Sequence, residues 1–246
     1  MSLADASQRL LPLVEADLRQ VLAVPHPDAA PYYGMMHYHL GWVDAALRPA
    51  APSGTGKRLR PLICLLACEA AGGDPHQAVP AGSAIELIHG FSLIHDDIED
   101  GDTVRRGRAA LWHLVGLPQG LNAGDLLFIV ARRQIAGSPV EDAVARRMVA
   151  RYDVACQRLA EGQYLDLAFE RRPRVPPEHY LEMVARKTGA LMSCAAALGS
   201  IAGGGSAAAV VGLESYGLEL GVAYRKLAKY LGPPEQGFRR GVAVPG

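Results

Sequence analysis

No excess of either charge marks this chain: its 246 residues carry 25 lysines and arginines against 25 aspartates and glutamates. A balanced chain has no bulk field to draw nucleic acid or an anionic membrane, so any anion site has to be local. Four cysteines, Cys64, Cys68, Cys156 and Cys194, form no CxxC pair. Cys64 and Cys68 stand at helical i,i+4 spacing in an apolar segment, as core residues do, and the pattern suits a reducing cytoplasm. The N-terminus has neither the basic start nor the apolar block of a signal peptide. Alternating strand patterns of useful length, internal repeats and charge blocks are also missing. What is left is a nearly all-helical chain, long enough to bury a core as one domain over residues 1–246.

One uncharged stretch has the length of a membrane span, the 25 residues from Gly189 to Leu213. It is dominated by alanine, glycine and serine and broken by Gly203-Gly204-Gly205, so it reads as two closely packed helices with a turn. No stable membrane span is expected.

Polar chemistry concentrates at His95-Asp96-Asp97-Ile98-Glu99-Asp100, followed by Gly101-Asp102 and preceded by the apolar run Ala84 to Ile94. Five carboxylates in seven positions repel one another, and acid at a helix C-terminus opposes the macrodipole. A cation among them relieves both. At about 100° per residue, Asp96 and Asp100 share a face, Asp97 lies on its flank, and Leu93, His89 and Glu86 extend the stripe backwards along a cavity wall. Hard divalent cations take oxygen ligands, and magnesium is commonly held by one or two carboxylates plus substrate phosphates.

Basic residues flank this cluster in two places. Gly56-Lys57-Arg58-Leu59-Arg60-Pro61 opens an apolar helix, where Lys57 and Arg60 beside a glycine either form a basic turn capping the loop or present cations and backbone N–H groups to an anion. Val104-Arg105-Arg106-Gly107-Arg108 follows the carboxylates directly. These arginines either neutralise the acid across a surface loop or share a diphosphate with its metal. Further along stand Gly124-Asp125, Gly162-Gln163 with Asp166, and Lys187-Thr188.

Taken in order over about residues 50–225, these stretches resemble the trans-isoprenyl diphosphate synthases, the polyprenyl synthetase family of short-chain type. The resemblance rests on Gly-Lys-Arg-Leu-Arg-Pro at 56–61, Glu-Leu-Ile-His at 86–89, Asp-Asp-Ile-Glu-Asp at 96–100, Arg-Arg-Gly at 105–107 and the three later motifs. It implies an all-α isoprenoid-synthase helical bundle around a central cavity, usually a homodimer, condensing isopentenyl diphosphate with an allylic diphosphate in the presence of magnesium. It further implies that Asp96, Asp97 and Asp100 hold the metal on the allylic diphosphate. Lys57, Arg60, His89 and Arg106 would bind isopentenyl diphosphate, and Arg105, Lys187 and Gln163 would lie on the allylic side with Thr188 beside the reacting carbons. In the family a large residue five positions before the first aspartate shortens the product. Here that is Phe91, with the small Ser92 next to it, a pattern similar to geranylgeranyl-forming enzymes with farnesyl as neighbour.

The sequence departs from the family after Tyr224. A glutamine and a second aspartate-rich motif would follow, whereas this chain reads Arg225-Lys226-Leu227-Ala228-Lys229-Tyr230. Residues 1–231 are family-like and 232–246 a divergent tail, so a C-terminally incomplete bundle is expected. Three explanations stay open: an out-of-frame or truncated reading, a non-catalytic regulatory subunit of a full-length synthase, and lysines at 226 and 229 replacing a metal's charge. A terpene cyclase fits worse, because Lys57, Arg60 and His89 form a site that a cyclase does not need.

Overall fold

The computed structural model describes residues 2–231, and the tail at 232–246 lies outside the described residues. In chain order the helices are α1 (Leu3–Val21), α2 (Ala30–His39), α3 (Leu59–Ala70), α4 (Val79–Asp100), α5 (Leu111–Val115), α6 (Leu117–Ala136), α7 (Asp142–Glu170), α8 (Pro177–Val184), α9 (Ala190–Ala202) and α10 (Ala207–Leu231). A hairpin of two short strands, β1 (Val104–Arg105) and β2 (Arg108–Ala109), interrupts them between α4 and α5. The all-α class is as expected.

The first helical stretch is shorter than its periodicity indicates. Apolar residues at three- and four-residue spacing predict helix from Ser7 to Leu47, interrupted at Val24-Pro25-His26-Pro27, yet α2 stops at His39. Gly41 reverses the chain with φ of 85°, and a side chain there would put its Cβ 2.3 Å from the Ser53 carbonyl oxygen. Only glycine permits that approach. Residues 43–58 therefore form the loop that leads into α3, pinned by Arg108. Its guanidinium lies over the Tyr38 ring and donates to the carbonyls of Tyr38, Ser53 and Val43.

Helix α9 is buried on every face, which explains its lack of charge: a helix apolar all round belongs to a core or a bilayer. Small residues let its neighbours approach closely. A Cβ on Gly199 would fall 1.9 Å from the Cys64 carbonyl oxygen, and one on Gly203 would fall 2.5 Å from that of Cys68. Positions four apart on α9 thus lie against positions four apart on α3, matching the two i±4 rows. On the far side Gly217 of α10 touches the Met192 carbonyl, and Gly221 touches Gly189. The run from Gly189 to Leu213 is accordingly two packed helices with a glycine turn, and among the described residues no helix is long and apolar enough to cross a membrane. Cys64 and Cys68 are buried free thiols raised by desolvation, which makes them inert core residues.

Helix α4 packs against α6, α3 and α1, and also touches α9. Its apolar flanks, Ile85, Leu87, Ile88 and Ile94, are buried, so burial fixes the rotation of the helix and with it the direction of every polar side chain. The helix ends where Gly101 takes φ of 68° and the Asp102 N–H returns to the Asp97 carbonyl at 2.9 Å, a Schellman-type stop.

Candidate active site

The polar stripe of α4 divides into two groups with different partners. Towards the middle of the helix, Arg60 Nη1 approaches His89 Nε2 at 3.2 Å, and Glu86 accepts from Arg58 at 2.6 Å. Two turns later, Asp96 and Asp100 face Lys187, whose Nζ lies 3.7 Å from Asp96 Oδ2 and 2.7 Å from Asp166 Oδ2. Seven residues separate His89 from Asp96, so a cationic patch and a carboxylate patch stand about 10 Å apart on one rod.

Asp97 belongs to neither patch. Its side chain is 2 % exposed and forms an ion pair with Arg105, which also donates from Nε at 2.7 Å. The expected triad of Asp96, Asp97 and Asp100 is therefore not brought together. Successive helical side chains diverge by about 100°, and α4 directs Asp97 at the hairpin while Asp96 turns towards Lys187. Asp166 of α7 completes the carboxylate group instead. Its motif was visible in the sequence, but spacing alone did not show that it shares a lysine with Asp96.

The hairpin explains why adjacent arginines have different tasks. Arg106 and Gly107 both take positive φ, 51° and 75°, as a two-residue type I′ turn requires. Side chains alternate across a strand, so Arg105 turns to Asp97 while Arg106 turns back, donating to the Gly54 carbonyl at 3.0 Å. There its guanidinium lies against Gly56, where a Cβ would come within 2.9 Å. Lys57, next to that glycine, is exposed.

Lys187 and Thr188 lie in a single π-helical turn, Ala185–Gly189, between α8 and α9. Such bulges occur frequently at functional sites, and periodicity does not reveal one because one extra residue per turn looks like a continued helix. The bulge is held against α7, where a Cβ on Gly162 would meet the Lys187 backbone nitrogen at 2.3 Å. Gly162→Ala should push the turn from α7 and separate Lys187 from Asp166. The expected result is a destabilisation of about 1–3 kcal/mol, read by urea unfolding, and a broken Lys187–Asp166 contact in a crystal structure of the variant.

Burial sets the electrostatics. Desolvation raises Asp96 despite Lys187 and Arg105, and it pushes Asp100 up to about 6. Burial alone would lower Lys187, but Asp96, Asp166 and Asp100 outweigh it, so the ammonium stays charged. Gln163 donates to Glu99 at 2.5 Å, and its amide oxygen is buried with no partner.

His39 is one of two histidines in the last turn of α2 and belongs to none of the sequence motifs. It lies beside Gly90 of α4, and desolvation followed by Arg106, Arg105, Arg58 and Arg108 brings it down to about 3. An unfolded histidine takes its proton near 6.5. Below that pH the unfolded chain binds the proton and the folded one does not, so folding stability falls on acidification towards 3 by up to about 1.4 kcal/mol per pH unit. Asp97 and Asp100, raised to about 6, titrate with the opposite sign over the same range, so the difference between chains is the test. Between pH 7 and 5 His39→Gln should remove a component of up to about 1.4 kcal/mol per pH unit from the stability slope, and an unchanged slope counts against the buried neutral imidazole.

Phe91 packs between α4 and α6, its ring centroid 4.5 Å from that of His95 and 5.2 Å from that of Phe128. Ser92 bonds back to the His89 carbonyl at 2.9 Å. A pocket beside Asp97 is lined by Tyr38, His39, Asp97, Arg105, Arg106 and Arg108.

The polyprenyl synthetase family profile matches residues 42–227, a span that includes every motif of the site and leaves out only α1 and α2 at the N-terminal side. The chain belongs to the polyprenyl synthetase family. A geranylgeranyl diphosphate synthase of Mycobacterium tuberculosis is 37% identical over 230 residues, covering 93% of this chain and 65% of the relative. Another curated relative is covered over 54% of its length, so the chain spans between about half and two thirds of these family members. Among solved structures, a polyprenyl synthetase from Streptomyces coelicolor A3(2) aligns with a TM-score of 0.85 at 35% identity, covering 97% of this chain and 70% of that one. A polyprenyl synthase from Caulobacter crescentus CB15, complexed with calcium and isoprenyl diphosphate, aligns with a TM-score of 0.77 at 28% identity over 92% of this chain and 64% of its own.

Proposed function

We propose that the chain is a prenyltransferase site that condenses isopentenyl diphosphate with an allylic diphosphate to give a geranylgeranyl- or farnesyl-class diphosphate. The observation that carries this reading is the paired arrangement on α4: Arg60 against His89 on one part of the helix, and Asp96 with Lys187 two turns on. One patch suits a bare diphosphate, and the other suits a diphosphate carrying a metal.

Magnesium fits the second patch. Asp96, Asp100 and Asp166 offer hard oxygen donors, and desolvation raises Asp96 and Asp100 even with Lys187 beside them, so a further cation among them would favour their charged forms. Among the described residues no three acidic, histidine or cysteine side chains are placed to hold a metal by themselves. An ion held here would be shared between one or two carboxylates and substrate phosphates. Bound there, magnesium would neutralise the diphosphate leaving group. The calcium complex of the Caulobacter relative supports a divalent cation in this fold.

The side chains then divide the work. Lys57, Arg60, His89 and Arg106 bind isopentenyl diphosphate, with Arg60 already set against His89. Lys187 and Gln163, the latter through the amide N–H that here donates to Glu99, orient the allylic diphosphate, with Thr188 beside the reacting carbons. Arg105 acts on the same side through Asp97, holding the hairpin in place. The apolar walls of α4 exclude water from the allylic cation. New carbon–carbon bond formation leaves one proton on the isopentenyl unit, and the departed diphosphate is the base that takes it, so no protein nucleophile is needed. The four free thiols support a reducing, cytoplasmic setting, and assembly as a homodimer is part of this reading.

Incubating the purified chain with radiolabelled isopentenyl diphosphate, magnesium and each allylic primer tests it. Labelled prenyl product from the chain alone, at a rate reduced by the missing second aspartate-rich motif after Tyr224, is the expected result. Product change only after mixing with a full-length synthase would instead mark a regulatory subunit, and no binding of either diphosphate would defeat both. Phe91→Ala should lengthen the product if this ring limits the cavity; an unchanged product distribution on chromatography removes it from that role.

A further inference from the structure

Arg58 stands between two proposed diphosphate ligands, Lys57 and Arg60, and points elsewhere. Its φ of 48° is left-handed, a conformation that a side chain of this size adopts at a strain. The turn carries the guanidinium inward, where it is 9% exposed beside Glu86 at 6%. Nη1 donates to Glu86 Oε1 at 2.6 Å, and Nη2 donates to the Leu40 carbonyl at 3.3 Å and lies 3.7 Å from Glu15 Oε2. One side chain thus ties the start of α3 to α1, to the end of α2 and to α4.

The geometry across α3 and α4 is a double clasp. Arg58 meets Glu86, and two residues on Arg60 meets His89, three residues after Glu86. One turn of α4 separates the two contacts, so the first contact sets the register of the second. The Arg58 carbonyl also accepts the Leu62 N–H at 3.2 Å, which makes Arg58 the residue from which α3 starts. Stability alone does not account for the arrangement. A buried ion pair is commonly no better than well-packed apolar groups, and glycine would take this φ without strain.

We propose that Arg58 and Glu86 are positioning residues for isopentenyl diphosphate, holding Lys57 and Arg60 in the geometry in which they meet its diphosphate with His89. The inference rests on the diphosphate assignment above. The clasp acts before any ligand arrives: it fixes the direction in which the chain leaves Gly56, and it places Arg60 against His89. Loss of a supporting contact of this kind typically lowers affinity by about 10- to 100-fold.

Calorimetry on the full chain tests the proposal, with isopentenyl diphosphate and, separately, geranyl diphosphate plus magnesium as ligands. Arg58→Gln and Glu86→Gln should each weaken isopentenyl diphosphate on the order of tenfold while geranyl diphosphate changes little. The double variant should be no worse than either single one, because both remove the same clasp. Arg58→Lys keeps the charge without the fork and should recover only part of the affinity. Arg9→Gln, which breaks an α1–α3 pair with Glu69 away from the site, serves as the stability control and should leave both affinities unchanged. Ligand-free, the His89 ring signals in NMR should move in Arg58→Gln and stay in place in Arg9→Gln. If the wild type binds but isopentenyl diphosphate affinity and His89 signals are unmoved in Arg58→Gln, the positioning role is wrong. Equal weakening of both ligands overturns it as well, since that marks a general structural loss. A wild type that binds neither ligand overturns the diphosphate assignment itself and the positioning role with it.

Discussion

Arg105→Gln is expected to destabilise the chain by about 3–5 kcal/mol, the range for removing one partner from a buried ion pair. Asp97 is 2 % exposed and its carboxylate takes both the Nε and a terminal nitrogen of Arg105. Desolvation raises Asp97 to about 6 even with that guanidinium beside it, so the unpaired carboxylate has no inexpensive way to stay charged in place. Arg105→Lys should restore little, because a single ammonium cannot reproduce two N–H directions. Combining Asp97→Asn with Arg105→Gln should recover a substantial part of the loss, since no bare charge remains. Chemical denaturation of the three variants against the parent decides it. A double variant as unstable as Arg105→Gln would show that the hairpin depends on something other than this pair. Because Arg106 leaves the same turn, the single variant should also weaken any diphosphate binding at Lys57 and Arg60.

Gly199→Ala has the next largest expected effect. The added methyl would fall 1.9 Å from the Cys64 carbonyl oxygen and 3.1 Å from the Ala67 Cβ. Backbone cannot move aside as a flexible side chain can, so α3 and α9 must separate along their contact. Overpacking in a close-packed interior costs about 1–3 kcal/mol and at times more, and a helix–helix contact without slack belongs at the upper end. Helix α9 continues from the turn that carries Lys187, so the strain should reach the site. The expected readings are a fall in urea midpoint and a weaker response of the melting temperature to diphosphate plus magnesium. Gly212, where an added Cβ meets nothing within 4 Å, provides the contrast: Gly212→Ala should be neutral or slightly stabilising, as alanine usually is in an exposed helix. Equal stability in both variants would mean that the α3–α9 contact is looser than its geometry indicates.

These two positions differ in how visible they were. Gly199 lay in a charge-free, small-residue run, and that composition alone pointed to helices in close contact. Asp97 shows the limit of residue order: the family motif implies a metal ligand beside Asp96, and the structure pairs its carboxylate with Arg105, about 100° round the helix from Asp96. The arginines showed the same limit. Close together in sequence, Arg105, Arg106 and Arg108 read as one basic patch, but a six-residue hairpin sends them to Asp97, to the Gly54 carbonyl and to the carbonyls around Tyr38. Arg58 was hidden between Lys57 and Arg60 because nothing in residue order announces a left-handed φ.

The helical class, the place of the carboxylate cluster at the end of α4 and the family motifs were determined by the sequence, because they depend on local periodicity, capping and residue type. Within about one turn of helix, chemistry and spacing are enough. The partners were decided only by tertiary structure: Asp96 with Lys187 and Asp166, Arg60 with His89, Asp97 with Arg105, and Arg58 with Glu86. Each of the Lys187 contacts and the Arg60, Arg58 pairs joins helices or turns more than 20 residues apart in the chain. Which side chains meet depends on how α4 is rotated by its buried apolar flanks, and that rotation is a property of the packed core.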